Sequence, residues 1–278
     1  QGELPEITAQ AEAATGAYAV AAQLRQVATQ PVRGLPGFDK LAGTLEITPG
    51  QGRITLDSRK VRVDTAGLLR APVVLDALKG AVSWTRAADG LRLASTGLDF
   101  ANADLNARVW GSVTVPAQGG PPLLDLQTRY RDVKVGAARR YLPATVIPPK
   151  ALAWLDRALV GGRVTTGEGV LRGPANAFPF DQGQGLFEIR FQLEDAVLDY
   201  TPGWPRLEAA RGTVRFNKRG LQVEIVAGRL LDVEVEKLGA WIDNLASAVV
   251  EVKGRAKGPG ASLWRAFKSS PAGQDLGE

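Results

Sequence analysis

The chain has 278 residues, a formal charge of +5 and a pI of about 9.6, and it contains no cysteine, histidine or methionine. Without thiols there are no disulfides or thiolate metal sites, and without imidazole the commonest general base and metal ligand are missing. Arg139-Arg140 and Lys218-Arg219 are tight basic pairs, but there is no polybasic run and few aromatics alternate with the cations, so nucleic acid is not an expected partner.

From the N-terminus, Ile7 to Ala11 reads as a strand. The alanine-rich stretch from Tyr18 to Gln30 sets Val20, Leu24 and Val27 on one helical face, which admits a short helix over residues 17–29 ended by Pro31. From Leu41 a hairpin unit recurs. Leu41 to Ile47 and Arg53 to Asp57 flank a turn at Pro49-Gly50. Leu78 to Trp84 and Leu91 to Leu93 flank Asp89-Gly90, and Arg211 to Phe216 and Leu221 to Ile225 flank Lys218-Arg219-Gly220. Such repetition predicts an array rather than a globule.

Between the second and third hairpins lies the one strong helix signal, near 149–160. Pro149 suits a first turn, Leu152, Leu155 and Leu159 recur at helical spacing, and Gly161-Gly162 is the expected stop. A lone helix in a β-rich chain must plug an end, cover an edge or mark a junction. Two later strands end in Gly-Pro, at Gly173-Pro174 and Gly258-Pro259. The aromatics beyond them, Phe178 and Phe180, then Trp264 and Phe267, are expected to pack over a sheet end. Residues after Ser269 read as a frayed tail. The organisation read from this is 1–34, a strand and the admitted helix; 35–136, the first hairpins; 137–162, a helical junction; and 163–278, a second β segment, all in one elongated domain.

No Walker loop, dinucleotide fingerprint or nucleophile elbow occurs. Asp195 and Asp199 are spaced as a carboxylate pair, but Val197 shares their strand face, which is poor surroundings for a glycosidase. The expected inventory is therefore no catalytic residue, no cofactor and no metal. No apolar run is long enough to span a bilayer, so a piece of a longer protein with its anchor elsewhere is expected.

Alternation with period two gives each hairpin one polar and one apolar face. The apolar set is Leu45, Ile47, Ile54, Leu56, Val82, Trp84, Leu91, Leu93, Val214, Phe216, Leu221, Val223 and Ile225. Either a second layer seals this face as an ordinary core, or the sheet curls so that the face lines a trough; glycines at Gly43, Gly80 and Gly212 permit the bends.

One stretch carries a family likeness. Tyr141-Leu142-Pro143, Pro149-Lys150, Trp154 to Val160 and Gly162 to Thr165 resemble the signature of the YhdP family, in the AsmA-like group of bacterial envelope proteins. The likeness continues through Phe178-Pro179-Phe180, Gly185 to Glu188, Asp195 to Tyr200 and Trp204-Pro205, with Ala101 to Leu105 upstream. It implies the trough: a mainly β, strongly curved antiparallel sheet acting as an apolar groove for phospholipid acyl chains between inner and outer membranes. It also implies a periplasmic location, adjoining segments of the same full-length chain as partners, an inner-membrane anchor outside this stretch, and no enzymatic activity. The alternative from another class is a structural or protein-interaction β-repeat module with a closed core and no lipid cargo. The third reading is a carbohydrate-active enzyme on a β scaffold.

Overall fold

The computed structural model describes residues 1–32, 35–246 and 250–268. Its first strands are β1 (Ile7–Glu12), β2 (Ala17–Thr29), β3 (Gly37–Thr48), β4 (Gln51–Asp64), β5 (Val73–Ala87), β6 (Gly90–Ala101), β7 (Asn106–Pro116) and β8 (Leu123–Lys134). Helix α1 (Pro149–Ala158) follows. Then come β9 (Leu159–Pro174), β10 (Leu186–Leu198), β11 (Leu207–Asn217), β12 (Gly220–Leu230), β13 (Val233–Ile242), β14 (Glu251–Lys257) and helix α2 (Gly260–Lys268). The fourteen strands form one sheet whose order follows the chain. The ladders from β1 to β7 and from β10 to β14 are antiparallel. The three hairpins read from the sequence are β3–β4, β5–β6 and β11–β12, and the fold is mainly β as expected.

Contacts divide the chain into two compact units. Unit one is Gln1–Arg129 with Gly169–Phe187; unit two is Tyr130–Glu168 with Glu188–Glu278. The core of unit one gathers Leu41, Leu56, Val61, Leu75 and Leu78, with Val27, Phe38 and Phe100 packed against them. The core of unit two gathers Val135, Val164, Leu193, Ala196, Leu207, Ala210, Ile225 and Val235.

Bulges line up across neighbouring strands. In unit one the non-glycine residues Gln26 (φ 51°), Lys40 (φ 65°) and Lys60 (φ 52°) are left-handed on β2, β3 and β4. In unit two the same holds for Asp132 on β8, Asp195 on β10 and Ala209 on β11. Each left-handed residue costs about 1–2 kcal/mol, and each bulge bends and twists its strand. The ladder registers shift at several of these levels, between Leu24 and Val27, Asp39 and Gly43, and Leu193 and Ala196.

Two expectations about helices are corrected. Residues 17–29 are strand β2, paired to β1 and β3, not a helix. Ladder bonds on both sides override the modest helix preference of alanine. The bulge at Gln26 explains the misleading pattern: it flips parity, so Val20, Leu24 and Val27 share a face at spacings that imitate a helix. Helix α1 exists, but it ends at Ala158 rather than at Gly161-Gly162. Leu159 N–H bonds back to Leu155 O, and the chain turns directly into β9. Gly162 serves the sheet instead: a Cβ there would stand 2.4 Å from Ala196 Cα and from Asp195 O, so only glycine lets β9 pass the β10 bulge.

The apolar side of α1, with Ala151, Leu155 and Ala158, is buried. Its far end is tied to the end of β10: Asp199 N–H donates to Ala158 O at 3.0 Å, and the Trp154 indole N–H donates to Tyr200 O at 2.8 Å. The first aromatic cluster past a Gly-Pro stop packs as expected, with Phe180 fully buried and Phe178 edge-on to Phe187 at 4.9 Å. Of the second cluster the structure describes Trp264, which does not pack inward, while the Phe267 side chain lies outside what is described. Residues 260–268 form α2, which fixes itself through Ser262 and Arg265 to Asp232, while Trp264 is 56% exposed under Lys268. The tail expected after Ser269 lies outside the described residues.

Candidate functional site

The sequence-predicted apolar residues of unit one fall on one face, row by row. One row is Val20, Ile47, Gly52, Trp84, Leu93 and Val113; the next is Ala22, Leu45, Ile54 and Val82. A third is Leu24, Gly43, Leu56, Gly80, Leu98 and Val109. Leu91, opposite Val115, extends the face toward the β5–β6 turn. Trp84 lies flat over Gly52, where a Cβ would stand 2.1 Å from its ring.

Unit two repeats the pattern. Its rows are Ile189, Phe216, Leu221 and Ile242; then Phe191, Val214, Val223 and Ala240; then Leu193, Gly212, Ile225 and Leu238. The opposite face is polar and carries cross-strand ion pairs: Asp57–Lys79 at 3.1 Å and Asp99–Arg108 at 3.1 Å in unit one, Glu188–Arg215 at 2.6 Å and Glu208–Arg229 at 3.0 Å in unit two. Their significance is that they mark which face is polar.

Burial within the apolar rows is graded. Leu56 (8% exposed), Leu221 (4%) and Ile225 (1%) are buried. Leu45, Ile47, Ile54, Val82, Trp84, Leu91, Leu93, Val214, Phe216 and Val223 are only half-buried. In unit one the packed cluster runs from Val61, Leu75, Phe38 and Phe100 to Leu56, with Ile54 against it; Leu45, Ile47, Val82, Trp84, Leu91 and Leu93 lie outside it. In the rows nearest the Pro49-Gly50 and Asp89-Gly90 turns the apolar side chains keep part of their surface exposed. A sheet sealed by a partner layer buries its inner face as a close-packed core.

Several contributors lie outside the sequence-predicted apolar set, Phe191, Val20 and Val113 among them. Phe191 lies over β9 at Gly167, where a Cβ would be 2.6 Å from its ring. It thereby meets Tyr130 of β8 at 5.6 Å between ring centres and Phe216 of β11 at 6.5 Å. The three rings make an aromatic ledge on the apolar side of unit two. The signal was available: Phe187, Ile189, Phe191 and Leu193 alternate with period two. Val20 lies on the stretch whose spacing reads as a helix, and Val113 on the strand after the second hairpin. Asp195, weighed as half of a carboxylate pair, occupies a bulge, and Asp199 accepts from Arg206 at 3.4 Å. Beside it, burial pushes the Tyr200 phenol up to about 12.

Comparison with known proteins adds to this geometry. The sequence profile of the family described as YhdP protein matches residues 1–278. The chain is 25% identical over 243 residues, 87% of its length, to a protein of Escherichia coli (strain K12) named intermembrane phospholipid transporter YhdP. It spans 19% of the length of that relative. No solved structure matches.

Proposed function

The chain belongs to the YhdP family, and on that premise we propose that it is one stretch of an apolar lipid path, in which the half-covered face of each unit receives phospholipid acyl chains. The observation that carries the reading is the graded burial of the apolar rows: ten of the thirteen predicted residues are held in register on one face of their own unit yet left half-buried. Such a face is stable in water only at a cost of about 25 cal/mol for each exposed Å2, and an alkyl chain lying on it removes that cost from both partners.

The magnitudes fit transport. Each methylene drawn bare into water costs about 0.8 kcal/mol, so a sixteen-carbon chain meets a barrier of roughly 12 kcal/mol. A continuous apolar floor lowers this barrier and needs no catalytic group. Bulges at one level, together with Gly43, Gly80 and Gly212, supply the bends by which the sheet would curve into a trough. Among the described residues no helix is long and apolar enough to cross a membrane. The reading places this stretch in the periplasm, as part of a longer chain anchored in the inner membrane and continued by neighbouring segments. The E. coli relative's name supports phospholipid as cargo.

The test is lipid extraction after purification without detergent, read by mass spectrometry. Phospholipid retained by the wild-type protein and lost from a folded Val82→Asp, Val214→Asp or Val223→Asp variant is the expected result. A lipid-free wild type that binds no added phospholipid would overturn the reading in favour of a protein-interaction module.

A further inference from the structure

Unit one carries, on its polar face, a shallow depression of about 300 Å3 lined by Arg25, Gln26, Lys40, Ala42, Asp57 and Arg59. The lipid reading makes no use of it. Its walls come from three consecutive strands, β2, β3 and β4, at the level where Gln26, Lys40 and Lys60 adopt their left-handed bulges. Bulges re-aim side chains and break the ladder locally, and here they bring Arg25, Lys40 and Arg59 around one hollow.

Bulge geometry does not require positive charge. The corresponding left-handed positions of unit two hold Asp132, Asp195 and Ala209, and the residues just before them are Arg131, Glu194 and Glu208, a mixed set. The cations of unit one are therefore a property of this place and not of the bend. Nor are they there to neutralise local acids. Asp57, the one carboxylate in the lining, is held by Lys79 at 3.1 Å, and Asp76 is held by Lys60. Among the described residues, no ion pair engages Arg25, Lys40 or Arg59. The backbone below is already satisfied: Ala42 N–H donates to Ser58 Oγ, and the Ser58 hydroxyl donates to Ala42 O, both at 2.9 Å. What the depression leaves unanswered is two guanidinium forks and one ammonium.

Guanidinium groups match the planar oxygen pairs of carboxylates and phosphates, and lysine adds a point charge. Three cations around one small hollow suit a group with several charged oxygens. We propose that this depression is a binding site for a phosphate-bearing ligand, gripped by Arg25, Lys40 and Arg59 on the face opposite the apolar rows. The phosphate could belong to a lipid head group or to a soluble phosphate ester; the chemistry of recognition is the same.

The experiment uses the whole chain at low salt. Inorganic phosphate binding is followed by calorimetry, and co-sedimentation is measured with vesicles of phosphatidylglycerol and of phosphatidylcholine. The double variant Lys40→Gln/Arg59→Gln is compared with Lys253→Gln/Arg255→Gln, which removes the same charge from the exposed strand β14. The side chains changed are solvent-exposed in both, so each variant should keep the wild-type thermal midpoint. The expected result is about a tenfold loss of phosphate affinity in the first variant and none in the second. An equal loss with phosphatidylglycerol vesicles identifies a head-group ligand. A loss with phosphate alone identifies a soluble ester. Equal weakening by both variants, or no measurable phosphate binding by the wild type, would overturn the proposal. Arg59→Lys should restore charge but only part of the affinity, because the fork is lost.

Discussion

Gly43 and Gly80 stand in one register row on either side of Leu56. A Cβ on Gly43 would lie 2.0 Å from Thr55 O, and one on Gly80 2.1 Å from Gly97 O. Gly80 also has φ 128°, a conformation that L side chains rarely adopt. The strands on each side thus approach closer than any side chain permits, and Leu56 fills the apolar side between two gaps. Gly80→Ala should cost about 3 kcal/mol, measured by urea unfolding. Gly260→Ala, at the start of α2 with nothing within 4 Å, is the matched control. It should be neutral or stabilising by about 0.5–1 kcal/mol.

Ser58 gives a second test of how the bulged region holds together. It is wholly buried and answers both backbone groups of Ala42 where the Lys40 bulge interrupts the β3–β4 ladder. Ser58→Ala leaves a donor and an acceptor without partners and should lower stability by about 1–3 kcal/mol. Amide exchange should quicken first at Ala42, ahead of the rest of the sheet. Exchange that quickens uniformly would mean that the hydroxyl acts only through overall packing.

The strands, the hairpin turns and the apolar face were legible in the sequence because period-two alternation is a direct image of a sheet with one wet side. Leu45, Ile54 and Val82 follow from parity alone and fall in one row. The bulges were not legible, because nothing in the side chains of Gln26, Lys40 or Lys60 marks a left-handed residue in advance. Their effect on parity then disguised β2 as a helix. Gly162 shows the converse: a glycine pair after a helical run is a good stop signal, yet here the constraint came from β10, which no local pattern reveals. The depression at Arg25, Lys40 and Arg59 was hidden for the same reason, since its walls are assembled by bulges on three strands.

Val61 and Val82 separate a sealed core from an open floor. Val61 has no exposed surface and belongs to the packed cluster, whereas Val82 is half-buried in the open rows. A carboxylate at Val61 has no water to turn to and no partner, so Val61→Asp should abolish cooperative folding at neutral pH. Val82→Asp should leave a folded protein with a reduced midpoint in urea and no retained lipid. Equal loss of folding in both variants would show that the rows around Val82 are core and that no acyl chain reaches them.

The aromatic ledge of unit two admits a test by displacement. Gly167→Ala keeps every ring but drives a methyl into the space occupied by Phe191. Phe191→Ala removes the ring that links Tyr130 to Phe216. If the rings only stabilise the sheet, the deletion should cost about 2–3 kcal/mol with lipid retention unchanged in whatever fraction stays folded. If they form part of the lipid floor, both variants should lower retained phospholipid per folded molecule. Phe191→Leu, which keeps an apolar side chain, should restore most of it.

Tyr200 makes the junction between α1 and β10 sensitive to alkali. Its carbonyl accepts from Trp154, its ring packs edge-on to Trp204 at 5.5 Å, and burial holds its phenol at about 12. An unfolded tyrosine titrates near 10. The folded state therefore keeps its proton longer than the unfolded state, and linkage makes stability fall as pH rises through this interval. The contribution is fully present below about pH 10 and lost progressively as the pH approaches about 12. Tyr200→Phe should flatten that part of the stability profile and remove the step at about 12 from the ultraviolet titration of tyrosinate. A wild-type titration in which Tyr200 ionises at about 10, as an unfolded tyrosine does, would mean that the junction is open to water.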